Sequence, residues 1–470
     1  MSTQDTIFAL SSGGGRAGVA VIRISGPAAG RALRALMAGP EAKASAASTL
    51  DSNSYGGASE ELSSEAPLQS LPAPRQLIRA DLFDAQGGLL DEAMAVWLPG
   101  PRSFTGDDVA ELHAHGSPAV VRALLSRLGN LPGLRPAEAG EFTQRAFLNG
   151  KLDLAAVEGL GDLIDAQTEA QRRLSLRQLG GALSEQVEAW RARVVGLRAE
   201  TEAWIDFPDE DLPEDFFPTI RARAAELAKE MVAKTASSYR LAARVRDGYS
   251  VALVGLPNVG KSSLLNALAA RDVAIVTDIA GTTRDTVSVP IDLGGFLVNF
   301  IDTAGLRETE DTIEAIGVDR AVRAAELADL VLLLVDERGV APEIGARLRQ
   351  DAVLQVATKQ DLWRAESGLH ASLGVSVVSG EGLQSVLDAV QSALVGQGAS
   401  LDWLLPMGRE RHAFHVSAAV EALEHARSQD ELALLAECMR EASLALGRIT
   451  GAVDVEDVLD HIFSRFCIGK

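Results

Sequence analysis

The chain has 470 residues, of which 47% are hydrophobic and 23% charged, and its formal net charge is −21. This length predicts about three domains. The longest apolar run, Leu330 to Val335, is too short to cross a membrane, and residues 1–10 lack the basic segment of a signal peptide. Two cysteines, Cys438 and Cys467, are too few for a disulfide framework. Secreted, membrane-spanning and disulfide-stapled classes are therefore excluded, and we expect a cytoplasmic protein.

The charge balance is strongly acidic, with 65 acidic against 44 basic residues and a pI near 4.8. A protein that binds nucleic acid through a broad electrostatic surface shows the opposite balance. Any contact with RNA must then use a local basic patch or come from a partner protein.

The first 250 residues divide into a mixed segment and a helical segment. Residues 41–72 are rich in Ser, Ala, Gly and Glu without periodicity, which predicts a disordered surface insertion. From residue 152 to about 246 the pattern is helical, with one break at 207–218 where prolines and acidic residues interrupt it. The other predicted elements are strands at 19–24 and 94–98 and helices at about 118–128 and 138–148.

From residue 249 onward, strands alternate with helices, which is typical of an α/β domain with a parallel sheet. The predicted strands are 249–255, 287–293, 297–301, 329–335, 352–357 and 375–378. After about residue 398 the chain is helical again, to residue 466. The predicted domains are an N-terminal α/β domain (1–150), a helical domain in two parts (151–248 and 398–470), and a parallel-sheet domain (249–397) inserted in it.

The segment from Gly255 to Ser262, Gly-Leu-Pro-Asn-Val-Gly-Lys-Ser, matches the P-loop pattern and lies between a predicted strand and a predicted helix. In such a loop, backbone N–H groups wrap phosphates, Lys261 reaches the β and γ oxygens, and the Ser262 hydroxyl ligates Mg²⁺. Asp302-Thr-Ala-Gly305 ends a later strand and offers a carboxylate for the metal and an N–H for the γ-phosphate. Residues 249–397 are therefore predicted to form a Ras-like P-loop GTPase domain.

The segment Thr358-Lys-Gln-Asp361 predicts guanine recognition, since Asp361 can accept hydrogen bonds from the guanine N1–H and 2-amino groups. Ser376 suits the loop that contacts guanine O6. Thr358 stands where this motif usually has Asn, and it cannot offer an amide to guanine N7 or to the P-loop, so we expect weaker nucleotide binding. Leu306 stands where many GTPases place the Gln that orients water, so the water must be positioned in another way.

Further segments outside these general motifs identify a family. With them the chain resembles, over nearly its whole length apart from 41–72, the MnmE (TrmE) family of bacterial tRNA modification GTPases. The segments that carry the resemblance are 5–7 (Asp-Thr-Ile), Arg16, 22–27 (Ile-Arg-Ile-Ser-Gly-Pro), 104–106 (Phe-Thr-Gly), 140–143 (Gly-Glu-Phe-Thr), 145–154 (Arg-Ala-Phe-Leu-Asn-Gly-Lys-Leu-Asp-Leu), 281–285 (Gly-Thr-Thr-Arg-Asp) and 467–470 (Cys-Ile-Gly-Lys).

The resemblance implies an enzyme that hydrolyses GTP and acts on tRNA. As a homodimer joined to the FAD-dependent protein MnmG in a heterotetramer, such an enzyme installs an aminomethyl or carboxymethylaminomethyl group on C5 of the wobble uridine. The one-carbon unit comes from a tetrahydrofolate, the 5-formyl or 5,10-methylene derivative. No membrane association is implied.

The resemblance also implies a K⁺ ion beside the nucleotide, in place of an arginine finger. Thr283 would join Ser262 in the Mg²⁺ shell, and Glu314 would orient the attacking water; without the resemblance, Glu314 is better interpreted as an exposed acid at a helix start. The predicted K⁺ ligands are the Asn258 side chain and oxygens of Thr277, Ile279 and Thr282. The predicted nucleotide-binding set is Asn258, Val259, Gly260, Lys261, Ser262, Ser263, Thr277, Asp278, Ile279, Ala280, Gly281, Thr282, Thr283, Asp302, Thr303, Ala304, Gly305, Thr358, Lys359, Gln360, Asp361 and Ser376.

The family's tetrahydrofolate contacts fall on Arg23, Glu111, Lys151 and Lys470. A carboxylate can accept two hydrogen bonds from the pterin edge, and cations suit the glutamate tail of a folate. On the residues alone, a surface ion pair explains each of them equally well. His113-Ala-His115 places two imidazoles on one face of a strand, but two ligands without a third are weak evidence for a metal, so a structural or solvent-facing pair is the better interpretation.

The terminal Cys467 is, by the resemblance, required for modification and lies near the folate with Lys470. A thiolate is a good nucleophile, and a neighbouring cation lowers its pKa. The alternative from the residues alone is a small hydrophobic side chain packed at a helix end. The predicted catalytic residues are thus Glu314, Lys261 and Cys467.

Two other functions compete with this interpretation. One is an RNA-binding assembly GTPase without modification activity, which should carry a basic appendage that the pI of 4.8 argues against. The other is a folate-dependent transferase in residues 1–150 with a regulatory GTPase attached.

Overall fold

The computed structural model describes residues 5–39, 70–206, 212–271, 273–275, 288–302, 323–339, 352–362, 373–394, 401–453, 459, 462–464 and 466–469. The chain forms two compact units, one of residues 1–158 with 450–470 and the other of residues 159–449. The insertion predicted at 41–72 lies, apart from residues 70–72, outside the described residues. Our division into four domain segments stays a prediction. Within the described part, no helix is long and apolar enough to span a bilayer.

The first unit is built on a six-stranded sheet in the order β3-β4-β5-β2-β1-β6. Neighbouring strands are antiparallel except β1 and β6, which are parallel. The predicted strands at 19–24 and 94–98 are confirmed, although the second is longer. The strands are β1 (Thr6–Leu10), β2 (Val19–Ser25), β3 (Leu77–Phe83), β4 (Leu89–Leu98), β5 (Val109–His115) and β6 (Leu134–Pro136).

Two helices, α1 (Ala29–Met37) and α2 (Pro118–Gly129), cover one face of this sheet and confirm the helix predicted at 118–128. Alternate residues of the strands, such as Ile22 and Leu112, are fully buried beneath them. Helix α2 begins after Ser117, whose side chain accepts hydrogen bonds from free N–H groups of the first turn. The intervening strand residues, Arg23 and Glu111 among them, therefore lie on the other face.

Helix α3 (Glu141–Leu148) confirms the helix predicted at 138–148 and starts three residues later. Its first residue, Glu141, is buried and accepts hydrogen bonds from both Arg135 (2.8 and 2.6 Å) and Arg145 (3.2 Å). Arg135 also donates to Asp5 beside strand β1 at 2.8 Å. This ion network ties the start of α3 to the edge of the sheet.

The second unit contains the long helices of the predicted helical segments. The break predicted at 207–218 is too long, because a helix starts again at Phe216 and includes Pro218. Proline is tolerated in the first turn of a helix because the N–H groups there have no carbonyl partner within the helix. The helices of the two segments are α4 (Leu154–Asp165, shared with the first unit), α5 (Glu169–Leu179), α6 (Ala182–Asp206), α7 (Phe216–Asp247), α10 (Glu410–Ala426) and α11 (Leu432–Thr450).

The same unit holds a second six-stranded sheet, in the order β12-β11-β10-β7-β9-β8. Its pairs are parallel except that β8 runs antiparallel to β9 at the edge. The sheet is packed with helices α8 (Lys261–Ala269) and α9 (Leu383–Leu394) in a common apolar core. The strands are β7 (Tyr249–Gly255), β8 (Ser288–Leu293), β9 (Phe296–Asp302), β10 (Leu330–Val335), β11 (Val353–Ala357) and β12 (Leu373–Gly374).

Five of the strands predicted for this sheet are confirmed to within one residue, but the strand predicted at 375–378 is wrong. The described strand there is β12, which ends at Gly374. Ser376 instead begins a turn, in which its N–H donates to the Glu381 carbonyl and its carbonyl accepts from Gly380 N–H. The apolar pattern was misleading because the backbone N–H and C=O groups of such a segment can find hydrogen-bond partners in a turn as well as in a strand.

We predict that the Glu141 network makes stability fall in acid. Burial opposes ionisation of Glu141, but hydrogen bonds from Arg135, Glu138 N–H and Arg145 outweigh it, so the pKa of Glu141 lies below its usual value of 4.5. A carboxyl group whose pKa is lower in the folded state stabilises the protein at pH values above its unfolded-state pKa. This contribution is lost as the pH falls through the folded-state pKa. Glu141→Gln should lower the free energy of unfolding by about 3–5 kcal/mol at pH 7 and make it depend less on pH in the acid range. The exposed Glu138→Gln is the control, and equal pH profiles for Glu141→Gln and the wild type would contradict the network's role.

Candidate functional site

The P-loop lies at the edge of the second sheet where its parallel strands end. Strand β7 is central, paired with β10 on one side and with β9 on the other. Carboxyl ends of parallel strands meet at one edge, and ligands bind there in open α/β sheets. The predicted motifs follow this rule: the P-loop follows β7, Asp302 ends β9, and Thr358 follows β11 directly.

The backbone of the P-loop has the left-handed turns that wrap a phosphate. Asn258 has φ of 60° and Gly260 has φ of 111°, a region that favours glycine. Gly255 passes so close to the neighbouring strand that a Cβ atom would lie 2.5 Å from the Leu334 carbonyl oxygen. The P-loop pattern in the sequence therefore has the backbone form that its function requires.

Lys261 is buried and donates to the carbonyls of Gly255 (2.9 Å) and Leu256 (3.0 Å) inside the loop. Burial lowers the pKa of this ammonium, while the charge of Asp302 opposes that lowering and Arg338 adds to it. The ammonium group is thus held at the predicted phosphate site. Ser263, the last of the predicted residues in the loop, is exposed in the first turn of α8.

Two side chains with oxygen atoms that can ligate a metal lie together beside the P-loop. The Ser262 hydroxyl donates to Asp302 Oδ2 at 2.6 Å, and the Asp302 carboxylate is almost fully buried. Hydroxyl and carboxylate oxygens are the ligands that Mg²⁺ prefers, so this pair fits the predicted metal.

The segment Thr358-Lys-Gln-Asp361, predicted to recognise guanine and called the base-reading loop below, contacts the P-loop through two consecutive side chains. The Thr358 hydroxyl donates to the Val259 carbonyl at 2.6 Å, and Lys359 Nζ donates to the Asn258 carbonyl at 2.6 Å. We expected this contact to the P-loop to be lost, because threonine has no side-chain amide. The hydroxyl of Thr358 makes the contact instead. The Ser376 hydroxyl donates to Asp361 Oδ1 at 2.6 Å. Gln360 adds a backbone contact, since its N–H donates to the Val375 carbonyl at 3.3 Å.

Two residues that the sequence analysis missed, Asp336 and Arg338, also hold the P-loop. The Arg338 guanidinium pairs with Asp336 at 2.7 Å and donates to the Pro257 carbonyl at 2.9 Å. The hydrogen bond from Arg338 lowers the pKa of Asp336. The only signal in the sequence is that Asp336 directly follows strand β10, at the edge where the other site residues lie.

The remaining predicted nucleotide-site residues lie outside the described residues, so their assignments stay predictions. They are Thr277, Asp278, Ile279, Ala280, Gly281, Thr282, Thr283, Thr303, Ala304, Gly305 and Glu314. Lys470, predicted as a folate contact, lies outside the described residues as well.

In the first unit, two of the predicted folate residues are brought together on the face of the sheet opposite helices α1 and α2. Arg23 and Glu111 are directly paired on β2 and β5, and Arg23 Nε donates to Glu111 Oε1 at 2.8 Å. The guanidinium carbon lies 5.4 Å from the ring centroid of Phe104 and 5.7 Å from that of Phe142. Two aromatic rings and one carboxylate thus fix the cation.

Lys151 and Cys467 lie near other parts of the same unit. Lys151 Nζ donates to the Pro101 carbonyl at 3.1 Å, on the loop that carries Phe104. Cys467 is exposed. The residue after it, Ile468, bridges Ala139, three positions before Phe142. The tail therefore runs close to the helix start that carries one of the two rings against Arg23.

The two histidines on strand β5 have separate partners. His115 Nδ1 is 2.8 Å from Asp91 Oδ1 and the side chain is largely exposed, whereas His113 Nε2 is 3.7 Å from Glu111 Oε2. In the described part of the chain, no group of three or more His, Cys, Asp or Glu side chains is suited to a metal ion. The interpretation of these histidines as a structural or solvent-facing pair stays a prediction.

Comparison with known proteins gives matches over almost the entire sequence. A family model described as the N-terminus of the GTP-binding protein TrmE matches residues 6–151, and one described as the MnmE helical domain matches residues 154–467. The tRNA modification GTPase MnmE of Rhodospirillum rubrum is 48% identical over 484 residues, covering 100% of both chains. That of Methylorubrum populi is 46% identical, covering 99% of this chain and 98% of its own. Together with the sheets and helices above, these matches confirm the predicted fold class.

Among solved structures, the G domain of the T. maritima FeoB iron transporter is 25% identical over 31% of this chain and 98% of its own, with a TM-score of 0.22.

We predict that the Thr358 hydroxyl stabilises the second unit. Thr358→Val keeps the shape of the side chain but leaves the buried Val259 carbonyl without this donor, a loss of about 1–3 kcal/mol. Thr358→Ser, which keeps the hydroxyl, is the matched control. Calorimetry of the nucleotide-free proteins should show a lower melting transition for Thr358→Val than for Thr358→Ser, and identical transitions would contradict the predicted role of this contact.

Proposed function

The chain belongs to the MnmE family of tRNA modification GTPases, and we propose that its GTP hydrolysis is K⁺-dependent and drives modification of the tRNA wobble uridine. With an FAD-dependent partner of the MnmG type, the enzyme installs an aminomethyl or carboxymethylaminomethyl group on C5, using a tetrahydrofolate one-carbon unit. It acts in the cytoplasm as a homodimer within a heterotetramer. The observation that carries the proposal is the meeting of Lys261, Ser262 and Asp302 at one edge of the sheet, in a chain similar along its whole length to such GTPases.

Hydrolysis of GTP requires stabilisation of the charge that develops between the β- and γ-phosphates. Lys261, positioned inside the P-loop, exchanges its carbonyl contacts with Gly255 and Leu256 for phosphate oxygens. Ser262 and Asp302 would hold Mg²⁺, and the bound ion would neutralise part of the phosphate charge. Asp361, oriented by the hydroxyl of Ser376, accepts the guanine N1–H and 2-amino hydrogens.

Potassium is proposed to replace an arginine finger at the P-loop. The Asn258 side chain is exposed at the left-handed turn, and its backbone carbonyl accepts from Lys359. The side-chain amide is therefore available to a ligand, and an amide oxygen suits a hard monovalent cation. Thr277, Ile279 and Thr282 complete the proposed ligand set, with Glu314 orienting the attacking water and Thr283 completing the Mg²⁺ shell.

The one-carbon donor is proposed to bind beside Glu111, on the face of the first sheet opposite helices α1 and α2. Glu111 receives Arg23 on one carboxylate oxygen, so its second oxygen can accept from the amino-pyrimidinone edge of a pterin. The exposed ring of Phe104 supplies apolar surface beside it, while the buried ring of Phe142 helps to hold Arg23 in place. Lys151 and Lys470 are proposed to attract the glutamate tail, and Cys467 takes part in modification.

We predict that GTP hydrolysis is much faster in K⁺ than in Na⁺. Removing one preorganised charge contact costs about 2.7–4 kcal/mol of transition-state stabilisation, on the order of 10²–10³ in rate. Asn258→Ala should therefore lose most of the K⁺ stimulation while keeping GDP affinity. The measurement is the single-turnover rate in matched KCl and NaCl; equal wild-type rates in the two salts would refute the K⁺ site.

We also predict that hydrolysis and modification can be separated by substitution. Cys467→Ser and Glu111→Gln should keep K⁺-stimulated hydrolysis and lose wobble-uridine modification, whereas Glu314→Ala should lose both while folate binding persists. Cys438→Ala, at the buried cysteine of α11, controls for loss of any thiol. The assay is reconstitution with the FAD-dependent partner, tRNA, GTP and folate. Normal modification by the Cys467→Ser protein would make the tail structural and exclude its proposed chemical role.

A further inference from the structure

Thr358, the first residue of the base-reading loop, is buried between the P-loop and strand β10. Its hydroxyl donates to the Val259 carbonyl at 2.6 Å and lies 3.2 Å from the Val335 carbonyl. Its backbone N–H donates to the same Val335 carbonyl at 2.8 Å. Thr358 is therefore hydrogen-bonded both to the P-loop and to strand β10.

A threonine has two hydrogen-bond donors, the backbone N–H and the hydroxyl. Both donors of Thr358 are directed at carbonyl oxygens of the protein. The N7 atom of guanine is an acceptor and can be read only by a donor. An asparagine at this position has two amide hydrogens and could serve the P-loop and N7 together, which a single hydroxyl cannot.

Turning the hydroxyl toward N7 is unfavourable. Val259 is fully buried, and its carbonyl would lose the donor that it receives from Thr358. Leaving a buried acceptor unsatisfied costs more than a neutral hydrogen bond returns. The exchange therefore has no driving force when the nucleotide binds.

The rest of the loop is fixed without any contact to N7. Lys359 is held against the P-loop by its bond to the Asn258 carbonyl, with its backbone at φ of 57°. The carboxylate of Asp361 is fixed by Ser376, which occupies one lone pair and leaves the others to accept from guanine. Asp361 can thus discriminate the Watson–Crick edge of the base by itself.

We propose that this GTPase does not read guanine N7 and that Thr358 is the residue that sets this specificity. Guanine nucleotides altered at N7, of which 7-deazaguanosine phosphates are the simplest class, are then ligands and substrates equal to the natural ones. The inference rests on the guanine-binding role proposed for Asp361.

The test compares GDP with 7-deaza-GDP by calorimetric titration of the full chain. The wild type should bind both with dissociation constants within about twofold, since no hydrogen bond is lost. Thr358→Asn should bind GDP more tightly than 7-deaza-GDP by about 2- to 12-fold, the value of one neutral hydrogen bond. Thr358→Ser, with the same two donors as threonine, should again bind both equally.

Three results would overturn the inference or its premise, and they are distinguishable. A wild type that binds 7-deaza-GDP more than about twofold more weakly than GDP overturns the inference, and this comparison needs no variant. A Thr358→Asn protein that binds both equally shows that position 358 does not set N7 specificity. An Asp361→Asn protein with unchanged preference for GDP over xanthosine diphosphate contradicts the proposed guanine site itself, whatever the 7-deaza result.

Discussion

The nucleotide site depends on one constraint, the parallel pairing of strand β7 with its two neighbours in the second sheet. Parallel strands end at the same edge, so the loops that follow them converge whatever their distance in sequence. Lys261 and Ser262 follow β7, Asp302 ends β9, and Thr358 follows β11. The hydrogen bond between Ser262 and Asp302 joins residues 40 positions apart and exists only because β7 and β9 are in register.

Once the strands converge, the P-loop is held from outside by hydrogen bonds to its own carbonyls. Arg338, Lys359 and Thr358 donate to three successive ones, those of Pro257, Asn258 and Val259. These contacts hold the loop by its carbonyl groups, and Asp336 balances the added positive charge. In the first unit, Arg23 is fixed in a similar way, by a carboxylate on the neighbouring strand and by two rings, one from the loop that carries Phe104 and one from helix α3.

The sequence predicted the parts of this arrangement that depend on local pattern. Strand β7 and the P-loop could be predicted because an apolar run, glycines at the turns and a following helix each signal the same structure. The turn at Ser376 could not, because Val375 to Val378 is as apolar as a strand and the backbone bonds that close the turn leave no mark in the sequence. Arg338 and the hydroxyl contact of Thr358 were missed for a related reason: each acts on a backbone carbonyl of a distant loop, and a carbonyl has no residue identity to detect.

We propose that this GTPase modifies the wobble uridine of tRNA. The most direct measurement is the nucleoside composition of tRNA from cells that lack the chain, compared with the same cells expressing it again. The account predicts that C5 aminomethyl and carboxymethylaminomethyl uridines disappear in the first and return in the second. Unchanged levels of these nucleosides in cells without the chain would contradict it.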